Sequence, residues 1–254
     1  LSYSLLVAPS GASISASGII TWPTTEANGP GNFTFTTRVV DNGSPALSAT
    51  NTFTVTVTEV NSAPILPGQG NRTINEAAAL VVTNTASDGD LPANTLSYQL
   101  VSPPAGAAIS VGGIITWTPT ESQGPSTNVF TTIVTDNGVP ILSATNSFTV
   151  IVSEVNSAPS FTATPTNQTI AELTSLTITN VAADADVPTN VLTYALLGPA
   201  TATINTNTGV ISWTPGEADG PGTNTFTMIV SDGSASSTNS FNVVVTEVNQ
   251  APLL

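Results

Sequence analysis

The 254-residue sequence has no cysteine and no histidine, and its only basic residues are Arg38 and Arg72. Without cysteine there is no disulfide framework and no thiolate metal site. Without histidine, the commonest general base and the usual transition-metal ligand are both missing. Sixteen acidic residues against two arginines leave a formal charge of −14. Such a chain cannot neutralise phosphates, which argues against nucleic acid as a partner. The same shortage argues against attraction to an anionic membrane surface. No apolar run approaches the roughly 20 residues needed to span a bilayer, and no signal segment precedes Leu1, so any export signal or anchor is expected to lie outside these residues. What remains is an acidic chain whose natural partner is a cation. Its polar residues are mainly Thr, Ser and Asn, the composition of secreted, strand-rich proteins.

A short joint recurs along the chain. It reads Val60-Asn61-Ser62-Ala63-Pro64, then the same five residues at 155–159, then Val248-Asn249-Gln250-Ala251-Pro252. Each copy follows a strand-like run ending in Glu59, Glu154 or Glu247. Proline blocks ladder pairing and pushes the residue before it out of helical space, so each copy ends one segment and opens the next. Trp22, Trp117 and Trp213 are spaced by 95 and 96 residues, and so are Tyr3, Tyr98 and Tyr194. That period suits a whole β-sandwich rather than a short solenoid unit. The expected organisation is the C-terminal two-thirds of a repeat at 1–61, complete repeats at 62–156 and 157–250, and the start of another at 251–254. Leu1-Ser2-Tyr3 matches Leu96-Ser97-Tyr98, so the sequence is expected to open in mid-repeat as a window on a longer array. Completion by a strand from a neighbouring chain is the alternative.

Within a repeat the hydrophobic period is two. Phe148-Thr149-Val150-Ile151-Val152 alternates, as do its counterparts at 53–57 and 241–245, which is the pattern of half-buried strands. In the middle repeat the pattern predicts strands near 71–75, 79–86, 95–101, 107–110, 113–118, 127–135 and 144–154. Turn signals separate them, among them Asp88-Gly89-Asp90, Gly112-Gly113 and Asp136-Asn137-Gly138. The expected fold is all-β: tandem seven-stranded antiparallel Greek-key sandwiches in a linear array. Each Trp follows a Gly-x-Ile-x run and precedes Pro. It is expected as a core or edge-covering aromatic, with a sugar-stacking platform as the alternative.

Fifteen of the sixteen acids recur between repeats: Glu26/Glu121/Glu217, Asp41/Asp136/Asp232, Glu59/Glu154/Glu247, Glu76/Glu172, Asp88/Asp184 and Asp90/Asp186. Only Asp219 stands apart, where the other repeats carry Asn28 and Gln123. Plain duplication would copy every residue, yet neighbouring loop positions differ. Oxygen-rich clusters without His or Cys suit hard cations, and Ca²⁺ takes six to eight oxygens where Mg²⁺ keeps waters in a tighter octahedron.

Ala-Asp-Ala-Asp-Val-Pro-Thr-Asn-Val-Leu-Thr-Tyr at 183–194 resembles the Asp-x-Asp…Asn…Tyr signature of cadherin repeats. The segment at 134–145 resembles their Ala-x-Asp-x-Gly-x-Pro-x-Leu-Ser stretch, and Glu-Val-Asn-Ser-Ala-Pro resembles their Asp-x-Asn-Asp-Asn-x-Pro linker. The Gly-x-Ile-x-Trp-Thr-Pro segment is similar to the Ig-like and dystroglycan-type cadherin modules of large bacterial surface proteins. The resemblance spans the whole chain. It implies Ca²⁺ held at each joint by ligands from both flanking repeats. At the second joint these would be Glu76, Glu121, Glu154, Asn156, Asp184, Asp186, Asn190 and Asp232. At the first joint they would be Glu26, Glu59, Asn61, Asp88, Asp90, Asn94 and Asp136. The family linker carries a second Asp where this chain has Ser62, Ser157 and Gln250, so one or two ions per joint are expected rather than three.

The resemblance implies a structural spacer, the stalk or fibre segment of an extracellular surface adhesin, stiffened by Ca²⁺ between neighbouring repeats of the same chain. Two rival readings differ in class. One is an Ig-like module that binds surface glycans or proteins through exposed aromatics. The other is a filament subunit assembling through homotypic contacts along open sheet edges. Enzyme chemistry has little to build on: paired carboxylates can serve a glycosidase, but ion ligation explains them better. The sequons Asn32-Phe-Thr, Asn42-Gly-Ser, Asn71-Arg-Thr and Asn167-Gln-Thr are candidate glycan acceptors.

Overall fold

The computed structural model describes residues 1–249. The alternating sequence becomes strands whose apolar side chains face inward. Phe148, Val150 and Val152 are buried while Ile151 points out, and Phe241, Val243 and Val245 repeat the arrangement. The fold is all-β. In the middle repeat the strands are Arg72–Asn75, Leu80–Thr83, Ser97–Val101, Ala108–Ile109, Ile114–Trp117, Ser126–Thr135 and Ser143–Ser153, one for each strand expected. They form two sheets. One orders Arg72–Asn75, Ser143–Ser153, Ser126–Thr135 and Ser97–Val101, and the other orders Leu80–Thr83, Ile114–Trp117 and Ala108–Ile109. The last repeat has the same two sheets, with Gln168–Ala171, Ser236–Thr246, Gly222–Ser231 and Thr193–Leu197 in one and Leu176–Thr179, Val210–Trp213 and Thr203–Ile204 in the other. It adds a short antiparallel pair, Ser160–Ala163 with Val181–Ala183.

The pairing is antiparallel except at one edge. Arg72–Asn75 runs parallel to Val150–Ser153, and Gln168–Ala171 runs parallel to Val243–Thr246. The first and last strands of a repeat point the same way when the chain enters at one end and leaves at the other, so neighbours of this kind must be parallel. This pairing delivers Glu76 beside Glu154, since each follows directly on a paired strand end. Both complete repeats hold their tryptophan in the core, 2% exposed at Trp117 and at Trp213. Trp213 packs edge-on to Phe226 at 5.1 Å, and Phe226 stacks on Phe241 at 5.2 Å. Burying such rings is the largest apolar contribution a sandwich this size can make.

The chain divides into two compact units that do not follow the sequence period. The first comprises Leu1–Asn71, Leu80–Trp117 and Val129–Thr149. It contains the three-stranded sheet of Ser2–Val7, Gly31–Val40 and Ser48–Val57, and the sheet that buries Trp117. In the first repeat Phe53 is 38% exposed, whereas its counterparts Phe148 and Phe241 are each 3% exposed. The second unit comprises Arg72–Ala79, Thr118–Asn128 and the described residues from Val150 onward. Thus the turns carrying Glu76 and Glu121 group with the linker and the last repeat, so each of the two joints lies wholly inside one unit. The expected start of a further repeat at 251–254 lies outside the described residues. Among the described residues, no helix is long and apolar enough to cross a membrane.

Candidate metal centre

Three local devices bring glutamates to the end of the middle repeat. Strand Arg72–Asn75 ends at Glu76, whose N–H donates to Ser153 O at 3.0 Å. The next residue, Ala77, adopts φ +56, a left-handed conformation uncommon outside glycine, and its N–H donates to Pro119 O at 2.8 Å. A single 3₁₀ turn, Glu121–Gln123, presents Glu121, held by the Thr120 N–H donating to Gln123 Oε1 at 2.9 Å. Glu154 follows strand Ser143–Ser153 directly. One oxygen from each of Glu76, Glu121 and Glu154 lies within 4.8 Å of the others.

These carboxylates are short of partners. Glu76 is 4% exposed. Its Oε1 accepts the Val155 N–H at 2.8 Å, while Oε2 is buried with none. Glu121 Oε1 and both oxygens of Glu154 are buried and unpartnered too. Burial, then the neighbouring charges of Glu76 and Glu121, push the Glu154 carboxyl up to about 7.

A second triad stands on the other side of the linker. One oxygen each from Asp184, Asp186 and Asp232 falls within the same 4.8 Å. Asp184 Oδ1 accepts the Asp186 N–H at 2.9 Å, leaving Oδ2 buried and unpartnered. The linker residues 154–157 touch both triads. Glu154 belongs to the first, and Val155 donates to Glu76. Asn156 Nδ2 donates to Asp232 Oδ2 at 3.0 Å, and the Ser157 N–H donates to Asp186 Oδ1 at 2.9 Å. Backbone N–H donations from Ala235 and Ser234 hold the Asp232 carboxyl below its ordinary range.

The first joint repeats the plan with a difference. Glu26, Glu59 and Asp90 form one triad, so here a residue of the following repeat enters the glutamate group. The Ser62 N–H donates to both Asp90 oxygens at 3.1 Å. Asn94 Nδ2 donates to Asp90 Oδ2 and to Asn61 Oδ1, both at 2.7 Å, and Asn61 Nδ2 donates to Asp136 Oδ2 at 3.0 Å. A cavity of about 300 Å³ opens among Glu59, Asn61, Asp90, Pro92, Asn94, Gly138 and Val139. Burial pushes the Asp136 carboxyl up, but donations from Leu142, Asn61 and Gly138 outweigh it and hold the group below its ordinary range. Burial, then Glu26 and Asp90, raise Glu59.

Of the acids expected at the joints, Glu26, Glu59, Asp90, Glu76, Glu121, Glu154, Asp184, Asp186 and Asp232 gather into triads, while Asp88 and Asp136 do not; Asp88 Oδ1 accepts the Asp90 N–H at 3.0 Å. Asn61, Asn94, Asn156 and Asn190 donate from their amide nitrogens to carboxylates or to one another. Asp136 Oδ1 takes the N–H groups of Gly138 and Leu142, so it also ties its own turn. Asp219 is no exception to the pattern of recurrence: its Oδ2 accepts the Gly216 N–H at 2.9 Å, as Asn28 and Gln123 do for Thr25 and Thr120. Sequence reasoning missed a further triad, Glu172, Glu217 and Glu247. Glu172 is 2% exposed, its Oε1 accepts the Val248 N–H at 2.8 Å, and its Oε2 is buried without a partner. The signal was present, since these three occupy the positions of Glu76, Glu121 and Glu154 one period later.

A buried carboxylate oxygen with no hydrogen bond is costly, and several converging on one point repel one another. A cation removes both penalties. The donor sets contain only oxygen, which fits a hard divalent ion and not a thiolate- or imidazole-seeking metal.

Residues 158–246 match the sequence profile of the family described as "Putative Ig domain". No curated protein matches the chain. Among solved structures, mouse cadherin-23 EC22-24 superposes with a TM-score of 0.53 at 22% identity, over 97% of this chain and 86% of that one. Human CDH23 EC21-23 gives 0.55 at 21% identity, over 96% and 88%. At these identities the likeness establishes the fold.

Proposed function

We propose that this chain, whose residues 158–246 match the "Putative Ig domain" family and whose fold is that of cadherin repeats, is an extracellular spacer, a stalk or fibre segment of an adhesin-type surface protein, whose joints are stiffened by Ca²⁺. It comprises the C-terminal two-thirds of a repeat at 1–61 and complete repeats at 62–156 and 157–250. The observation that carries the reading is the stitching of linker 154–157 to acids on both sides, with buried carboxylate oxygens left open in the same place. Glu76, Glu121 and Glu154 supply oxygens at the end of one repeat, and Asp184, Asp186 and Asp232 supply them at the start of the next. Bound Ca²⁺ supplies the positive charge that lets these carboxylates stay ionised side by side. The linker N–H groups at Val155 and Ser157 fix the bridging strand to one acid of each triad. With the charges balanced, neighbouring repeats keep one mutual orientation; without balance, the acids repel and the joint bends. Glu26, Glu59 and Asp90 serve the first joint in the same way.

The sugar-stacking alternative loses its platform in the complete repeats, because Trp117 and Trp213 are both in the core. Small-angle scattering of the intact chain, with calcium and then with excess chelator, tests the proposal. We expect the distribution of maximum dimensions to broaden on chelation while circular dichroism stays that of folded sandwiches. A distribution that ignores the chelator would overturn the spacer mechanism.

A further inference from the structure

All three repeats place a Gly-Pro pair after the 3₁₀ turn: Gly29-Pro30, Gly124-Pro125 and Gly220-Pro221. Glycine is usually retained where φ is positive, but that is not the reason here. Gly29, Gly124 and Gly220 have φ −108, −108 and −132, extended backbone that any residue adopts. What differs is the space where a Cβ would stand. At Gly124 that position runs into the Glu76 carboxylate: Oε2 lies inside van der Waals contact, and Cδ is 3.2 Å and Cβ 3.3 Å away. At Gly29 the neighbours include Glu59 Oε2 at 3.5 Å, and at Gly220 they include Glu172 Oε2 at 3.6 Å. The same glycine therefore abuts an acid of the local triad in every repeat.

From this we infer that Gly124 is a positioning residue for the second joint, kept as glycine so that the Glu76 carboxylate can lie against the backbone and aim Oε2 at Glu121 and Glu154. The inference rests on the cation reading above. Glu76 cannot retreat by moving its backbone. Its N–H is bonded to Ser153 O at 3.0 Å, and the following residue is held at φ +56 with its N–H on Pro119 O at 2.8 Å. A methyl group at position 124 must therefore displace the carboxylate itself, and with it the Oε1 bond to the Val155 N–H. Gly29 tolerates a methyl better, since its nearest neighbour would be Thr58 O at 3.3 Å.

The test uses the intact chain carrying Gly124→Ala, with Gly29→Ala as comparator and Gly124→Ala combined with Glu76→Asp as rescue. Calcium is titrated calorimetrically, and the Val155 amide is followed by hydrogen exchange without calcium. Displacing an oriented ligand lowers metal affinity about 10- to 100-fold. We expect Gly124→Ala to weaken one class of sites by at least about tenfold, to speed Val155 exchange, and to leave the sites of the first joint unchanged. Gly29→Ala should have the smaller effect, and the shorter Asp at 76 should relieve the clash and recover the thermal stability that Gly124→Ala loses. Wild-type affinity with wild-type Val155 protection in Gly124→Ala would overturn the inference. If Gly124→Ala unfolds the second unit, recovery of the fold in the double variant supports the steric account, and its failure overturns it. A wild-type chain that binds no calcium would sink the cation reading alone, since Val155 exchange decides the role of Gly124 without metal.

Discussion

Proton release on calcium binding is the most exacting consequence of the second triad. Burial and the charges of Glu76 and Glu121 raise Glu154 from 4.5 to about 7. A group whose pKa is raised by folding stabilises the fold below its unfolded value, and that contribution is lost as pH rises through its folded value. The calcium-free chain should therefore lose thermal stability between about pH 4.5 and 7 on account of Glu154. Glu59 and Glu247 are also raised, by burial and then by neighbouring acids, and act in the same direction. Asp41, Asp136 and Asp232 are lowered from 3.8, so their contributions are constant across this window and fade only in stronger acid. An ion entering the triad must expel the Glu154 proton. With a pKa near 7, about 0.9 proton should leave per ion at pH 6 and about 0.1 at pH 8. Calcium titration calorimetry in two buffers of different ionisation enthalpy measures that number, and subtracting the value for Glu154→Gln isolates this joint. Apparent affinity should fall about 25-fold between pH 7.5 and 5.5 for the same reason. Equal proton release at pH 6 and pH 8 would show that Glu154 is not the group the ion displaces from.

Ser157→Asp adds back the acid that the cadherin-type linker carries, beside Asp186, and should tighten calcium binding several-fold while lowering the melting temperature in chelator; both are read by calorimetry. Thr132 is buried with an unpartnered Oγ1, where the last repeat has the fully buried Met228. Thr132→Val should therefore stabilise the chain by about 1–2 kcal/mol in urea unfolding. Gly113 has φ +78, and a Cβ there would stand 2.9 Å from the Tyr98 ring. Gly113→Ala should cost about 3 kcal/mol, from strain and overpacking together. Its neighbour Gly112, whose nearest obstacle is Ser110 Oγ at 3.9 Å, should accept alanine within about 0.5 kcal/mol in the same assay.

Most of the fold was legible because a half-buried strand writes its period directly into the sequence, as Phe148 to Val152 does. The parallel edge was not legible. Nothing in Arg72–Asn75 says which neighbour it takes; that follows from the direction in which the chain traverses the repeat. The 3₁₀ turns escaped notice because three residues carry no period, although they set the angle of Glu26, Glu121 and Glu217. Among the candidate ligands, recurrence picked out acids that the fold gathers into triads, yet it carried no information on which way an asparagine amide turns. The asparagines are distinguished only by which amide atom faces the carboxylate, a matter of neighbours rather than spacing. The Glu172, Glu217 and Glu247 triad was readable by the same recurrence, since these acids stand one period after Glu76, Glu121 and Glu154. The sequence likewise could not show that Asp186 would gather with Asp184 and Asp232 while its counterpart Asp90 gathers with Glu26 and Glu59.

At each joint, a divalent cation held by acids far apart in the chain would fasten the linker between them. Diffraction from crystals grown with calcium, recorded at a wavelength where the ion scatters anomalously, addresses this directly. Anomalous peaks are expected at Glu76, Glu121 and Glu154, at Asp184, Asp186 and Asp232, and at Glu26, Glu59 and Asp90, with oxygens at about 2.3–2.6 Å. Ordered water in those positions with no anomalous signal, or calcium bound only at scattered surface acids, would contradict this reading.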